Sequence, residues 1–261
     1  MLKIVSICLL VVSLAIAENK MEYEISFVGM SMDYSEYDDN GAILDSENSH
    51  ISDIIGAEFK YRYFFNNASS IDFEIITLSG YTDYIGSAID TKTSYGSLKS
   101  SSYNEIRDIS LSYKLHNASS FHGIGFIGGI GIGYRFWRRE LSSIQIEDYK
   151  WYSLRILAGL QYKYKDISSN FELEYQYGIN PVMSASGFSQ DFELSSATIV
   201  KLSIPIRYVI NKNFDLVCAY VFEYQKIDES NTIYDTFNNG YVEPDSKAYN
   251  QYMKLGIVFK Y

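Results

Sequence analysis

Tyr249-Asn250-Gln251-Tyr252-Met253-Lys254-Leu255-Gly256-Ile257-Val258-Phe259-Lys260-Tyr261 is the stretch whose reading decides the fold. Met253, Leu255, Ile257, Phe259 and Tyr261 form a wholly apolar face, while Tyr252, Lys254, Gly256, Val258 and Lys260 form a mixed one. A period of two with a different environment on each side is that of a β-strand. An apolar face of this length needs a cover, and the mixed face carries lysines that a packed apolar core would reject.

Working outward, the same alternation recurs along the chain. Tyr23, Ile25 and Phe27 alternate with Glu22, Glu24 and Ser26, and Ile55, Ala57, Phe59 and Tyr61 with Glu58, Lys60 and Arg62. Further strands are predicted from about 71, around 109–115, and over 121–139, 152–162, 171–177, 200–208 and 216–224, which makes ten with the last. The connections alternate in length. Polar stretches at about 34–50, 83–103, 183–197 and 227–247 are long, whereas Asn66-Asn67-Ala68-Ser69, His116-Asn117-Ala118-Ser119-Ser120, Lys165 to Ser169 and Asn211-Lys212-Asn213 are turns. Gly123, Gly125, Gly128, Gly129, Gly131 and Gly133 would ruin a helix but suit a wall that curves or meets side chains closely. An even number of antiparallel strands, with short turns at one end and long loops at the other, is the pattern of a transmembrane barrel. The predicted fold is therefore all-β: a ten-stranded antiparallel transmembrane β-barrel, an up-and-down meander with short periplasmic turns and long extracellular loops.

The other end of the sequence agrees. Lys3, the apolar run Ile4 to Leu14 and Ala15-Ile16-Ala17 read as a signal peptide over residues 1–17, leaving 18–261 as the barrel. No other run approaches the length of an apolar spanning helix. The composition, with 47% hydrophobic residues, 25 Tyr and 15 Phe, suits many half-buried strands. A net charge of -10 argues against nucleic acid, which calls for basic patches. After cleavage only Cys218 remains, so no intramolecular disulfide can form.

The strand Tyr249–Tyr261 resembles the closing strand of bacterial outer-membrane β-barrels, in which a terminal aromatic on an alternating strand belongs to the assembly signal. That resemblance implies a Gram-negative outer-membrane location, with membrane lipid, lipopolysaccharide and the barrel-assembly machinery as partners. The strand number and long outward loops resemble the omptin proteases, which place an Asp pair opposite an Asp-His pair. Here the corresponding loops offer Asp83 and Asp90, then Asp191-Phe192-Glu193 without histidine, so the resemblance reaches topology and not the catalytic residues. The histidines, His50, His116 and His122, form no constellation with a nucleophile.

Three sets of residues are candidate sites. Glu58, Lys60, Arg62, Glu74, Arg135, Arg155, Glu172, Glu174, Arg207 and Glu223 share the polar strand face with Asp72, Asp108, Lys114, Lys201 and Asp215, and in a narrow lumen they are expected to pair. Glu36, Asp38, Asn40, Gly41 and Glu47 match positions of a calcium loop, although Asp is usual at the first. Arg138, on the lipid face at the outer end of its strand, could pair with lipopolysaccharide phosphate. The functional expectation is a surface barrel with a plugged lumen and an adhesive or structural role. The alternatives are a small porin-like channel and an omptin-like or lipid-modifying enzyme.

Overall fold

A computed structural model of the chain describes residues 20–86, 95–121, 123–234 and 238–261, with the side chains of 118–121 left aside. The predicted signal peptide, Asp90 and His122 lie outside the described residues. The strands are β1 (Met21–Tyr37), β2 (Ile43–Asn48), β3 (Ile54–Asn66), β4 (Ser69–Gly86), β5 (Leu98–Phe121), β6 (Ile124–Ser142), β7 (Gln145–Tyr164), β8 (Ile167–Ala185), β9 (Phe192–Glu193), β10 (Ala197–Val209), β11 (Phe214–Ile227), β12 (Ile233–Tyr234), β13 (Gly240–Tyr241) and β14 (Asp245–Lys260). Long antiparallel neighbours pair in chain order, and β14 pairs with β1 from Glu22↔Lys260 to Tyr37↔Asp245, which closes a barrel of ten walls. Closure leaves no sheet edge.

One wall is made of two pieces. β2 pairs with the upper part of β1 and β3 with the lower part, so the residues between them interrupt a single descending strand. The walls also run further than the alternation suggested. The stretch 34–50 holds the end of β1 and all of β2, the stretch 83–103 holds the end of β4 and the start of β5, and β5 continues through His116 to Phe121. The first two corrections share a cause that emerges from the exposure of the walls; the last lies at the short-turn end.

Below, at the short-turn end, outward side chains are apolar and exposed: Ile25, Phe27, Leu111, Ile132, Leu154 and Leu255, with Phe126 at 63% and Ile130 at 66%. A continuous belt of this kind calls for lipid. Higher up, the outward positions become Asp33 and Ser35 on β1, Glu105 and Arg107 on β5, Arg138 and Glu140 on β6, and Asp148 and Lys150 on β7. The inward positions change the opposite way. Glu24 and Ser26 give way to Val28, Met30, Met32 and Tyr34, all buried. The alternation persists while its polarity reverses, so a polar stretch above the belt is wall rather than loop.

The short turns follow from local chemistry. Asn211 Oδ1 accepts the backbone N–H groups of Asn213 at 2.9 Å and Phe214 at 3.0 Å, and Asn66 Oδ1 accepts that of Ala68 at 2.8 Å. In β6 the glycines admit close neighbours: a Cβ on Gly133 would fall on the Arg155 guanidinium.

Candidate functional site

Three layers fill the interior. At the belt level lies the charge network. Arg62 binds Asp72 through a 2.6 Å contact and reaches Glu22 at 3.5 Å, and Arg207 meets Glu22 at 2.7 Å and Glu24 at 3.4 Å. Lys114 bridges Asp72 at 3.3 Å and Glu172 at 3.4 Å, while Lys60 bridges Glu58 at 3.1 Å and Glu74 at 3.3 Å. Arg155 pairs with Asp108 and stands 3.7 Å from Glu174. Arg135 forks onto Glu223 at 2.8 and 3.1 Å, and Lys201 reaches the same carboxylate at 3.2 Å. The ten lumen charges singled out from the sequence thus all lie in ion pairs inside the barrel. Glu22, Glu24, Lys254 and Lys260 complete the set, with Lys254 on Glu58 and Lys260 2.5 Å from Asp215. Their even numbering on β1 and β14 was the available signal.

A cavity of about 170 Å³ lies among these charges and is roofed by Ile76, Leu78, Ile106, Val221 and Tyr252. It adjoins a vestibule of about 1170 Å³ at the short-turn end, lined in part by Lys163, Lys165, Lys212 and Lys260. Above the cavity the lumen is apolar. Val28, Met30, Ile54, Ile199, Trp137 at 1% and Trp151 at 2% exposure belong to one packed cluster across the barrel. The residues singled out from the sequence for the lumen are all charged, and no apolar layer is among them, so the septum is seen in the structure alone.

The third layer sits above the septum. Arg139 on β6 is fully buried and lies 4.4 Å over the Tyr34 ring, beside Trp137, which stacks on Tyr149 with centroids 4.9 Å apart. Its Nη1 donates to Glu36 at 2.6 Å and Glu147 at 2.8 Å, and its Nε to Glu47 at 2.9 Å. Glu47 is saturated, since it also accepts Thr82 Oγ1 at 2.5 Å and Asn104 Nδ2 at 2.8 Å. Asp45 accepts Tyr84 OH at 3.2 Å, and Glu243 accepts Tyr149 OH. Four carboxylates therefore meet one guanidinium, and a fifth, Glu243, joins them through Tyr149. Burial, reinforced by the neighbouring Glu36, pushes the Asp45 carboxyl up to about 8, and the same causes raise Glu243 and Glu147.

The calcium-loop residues do not converge as a loop site. Glu36 and Glu47 turn inward to Arg139, on opposite strands of a hairpin. Asp38 Oδ1 instead accepts the N–H groups of Asn40 at 2.9 Å and Ala42 at 2.8 Å, capping a turn in which Gly41 has φ 79°, and Asn40 is exposed. Arg138 faces outward just above the belt, where Asp148 holds its fork at 2.7 and 3.0 Å. Asp83, Asp191 and Glu193 are exposed. His50 is exposed, not on the rim but in the break between β2 and β3 part-way down the wall, and His116 lies at the short-turn end, 3.0 Å from Ser70 Oγ.

No family model matches the chain, and no curated protein matches it. Among solved structures, the outer-membrane protease OmpT from Escherichia coli matches with a TM-score of 0.56 at 12% identity, over 93% of this chain and 97% of that one. The chain has the fold of an outer-membrane β-barrel. OprG from Pseudomonas aeruginosa (TM-score 0.40, 11% identity, 94% and 96% covered) and Ail of Yersinia pestis (TM-score 0.38, 14% identity, 94% and 100% covered) are also similar to it. At such identities the likeness concerns this outer-membrane barrel's fold alone.

Proposed function

We propose that this outer-membrane barrel is a closed, non-conducting platform whose long-loop end faces the cell exterior and serves an adhesive or structural role. The observation that carries this reading is the septum. A path from the short-turn end passes the vestibule and the charge network, then meets the packed layer of Val28, Met30, Ile54, Trp151 and Ile199. Packed apolar side chains exclude water and ions at protein density. Below that layer both signs of charge neutralise one another within hydrogen-bonding reach, which suits a filled lumen. Around it, the outward face of the wall carries Glu105, Arg107, Arg138, Glu140, Asp148 and Lys150, a charged collar at the upper edge of the belt. Arg138 in that collar is the contact proposed for lipopolysaccharide phosphate, in exchange with Asp148.

Single-channel recording of the refolded barrel in a planar bilayer tests the reading. Silence from protein shown to be folded and inserted is expected. Reproducible conductance steps would overturn it and make transport the leading function.

A further inference from the structure

The layer above the septum has too little positive charge. Arg139 is the cation that faces Glu36, Asp45, Glu47, Glu147 and Glu243 there among the described residues, and the remaining contacts are neutral: Tyr34, Thr82, Tyr84, Asn104 and Tyr149. Neighbouring cations on the same strands, Lys150 and Arg138, point out of the barrel toward Asp148. Buried carboxylates in such excess take up protons or a counter-charge.

We propose that Glu36, Glu147 and Glu243 hold one divalent cation of the hard, calcium-like class inside the outer half of the barrel. Each offers an oxygen, and the three oxygens lie within 4.8 Å of one another, on side chains that are all buried. Ligand oxygens about 2.3–2.6 Å from a Ca²⁺ ion can stand up to about 5 Å apart, so one ion fits between them. The donor set is oxygen only, which suits calcium or magnesium rather than zinc or copper.

A second observation points to a missing partner at the same place. Asp45 is 8% exposed, and its Oδ1 has no hydrogen-bond partner. That oxygen faces Arg139 Nη2 across 3.8 Å, while Nη2 itself stands 2.9 Å from Glu47 Oε1. A buried oxygen left over beside three converging carboxylates is what a cation or its water would take up. The ligands are also held in place. Glu243 exchanges backbone bonds with Ser230, its N–H donating to Oγ at 2.9 Å and its carbonyl accepting from the Ser230 N–H at 3.0 Å, while Glu36 and Glu147 are anchored by Arg139.

The full chain, refolded in detergent and stripped with a chelator, is titrated with CaCl₂ by calorimetry. In parallel, Tb³⁺ luminescence is excited through Trp137 and Tyr149. One ion per barrel is expected, with Tb³⁺ displaced by Ca²⁺ and a thermal midpoint that climbs with Ca²⁺ concentration. Glu243→Gln removes one acid from an excess of acids and so leaves the barrel folded, which its heat-dependent gel mobility checks. It should weaken binding by about tenfold or more, whereas Asp38→Asn, in the outer turn, should leave it unchanged. Absence of both heat and midpoint shift at millimolar Ca²⁺ and Mg²⁺ overturns the proposal. So does binding that survives Glu243→Gln, or that Asp38→Asn abolishes, since either puts the ion elsewhere.

Discussion

Replacing Glu223 with Gln measures how dry the lumen is. The Glu223 carboxylate is fully buried and accepts Arg135 at 2.8 and 3.1 Å, Asn250 at 3.0 Å and Tyr252 at 3.1 Å, with Lys201 3.2 Å away. Gln keeps the shape and one accepting oxygen, but it deletes the charge and turns an NH₂ toward groups that themselves donate. Removing one partner of a dry ion pair costs about 3–5 kcal/mol, because the other charge is left uncompensated. Asp108, 3.7 Å from Arg135 and 3.5 Å from Lys201, takes over part of the neutralisation. The expected loss is therefore at the lower end, about 3 kcal/mol. In a water-filled pore the same deletion would cost about 0–1 kcal/mol. Urea unfolding of the refolded barrel, followed by the fluorescence of the buried Trp137 and Trp151, reads the difference as a shift of the midpoint at unchanged slope. A loss below about 1 kcal/mol would refute the dry lumen, and with it the closed-barrel reading. The double replacement Arg135→Met with Glu223→Met should recover much of the loss, since it removes both charges together and leaves Lys201 with Asp108.

Two further outcomes follow from the outer half. In metal-free protein, burial raises the Asp45 carboxyl from 3.8 to about 8 against Glu36, Glu47 and Glu147, so the folded state holds a proton that the unfolded chain releases. That stabilisation is complete below about pH 4 and is lost as pH rises through about 8, a slope that Asp45→Asn should flatten in thermal melts taken across that range. Arg138→Ala breaks a half-exposed pair with Asp148, so stability should change by less than about 1 kcal/mol while lipopolysaccharide co-purification drops. Unchanged co-purification would remove Arg138 from the lipid contact.

The belt half of the molecule was legible because lipid on one side and paired charge on the other make the alternation unmistakable. Met253, Leu255 and Ile257 face out, Lys254 faces in, and the same parity carries Glu22 and Glu24 inward on the strand that pairs with them. The outer half was read as loops because its outward positions are polar, and polar residues between apolar runs are the usual sign of a connection. The acid cluster was hidden for another reason. Glu36 and Arg139 are 103 residues apart in sequence, and nothing local announces that barrel closure will bring them to 2.6 Å. Parity did hold a clue, since Trp137 and Arg139 share a face with Arg135, and Glu36 shares one with Tyr34. The calcium-loop spacing counts residues along a loop, whereas Glu36 and Glu47 lie on two facing strands with inward side chains.

The reversal of polarity along each wall follows from what the strands must satisfy at each height. Beside lipid the outward residues have to be apolar. If the inward ones were apolar too, the segments would read as continuous hydrophobic runs, which belong to spanning helices rather than to barrel walls. Charges that neutralise one another inside the barrel keep the alternation and still fill the space. Above the belt that constraint lifts, because the wall is in water and polar outside. The interior is then free to be apolar, and burial of Met30, Tyr34, Trp137 and Trp151 adds stabilisation of about 25 cal/mol per Å² removed from water. The septum that closes the lumen is thus the ordinary core of the water-facing half. The acid cluster resting on it is the one part of the outer half that this logic does not account for, since its carboxylates are neither paired one to one nor in contact with lipid. A buried group of like charges that packing does not require is where a ligand is to be sought.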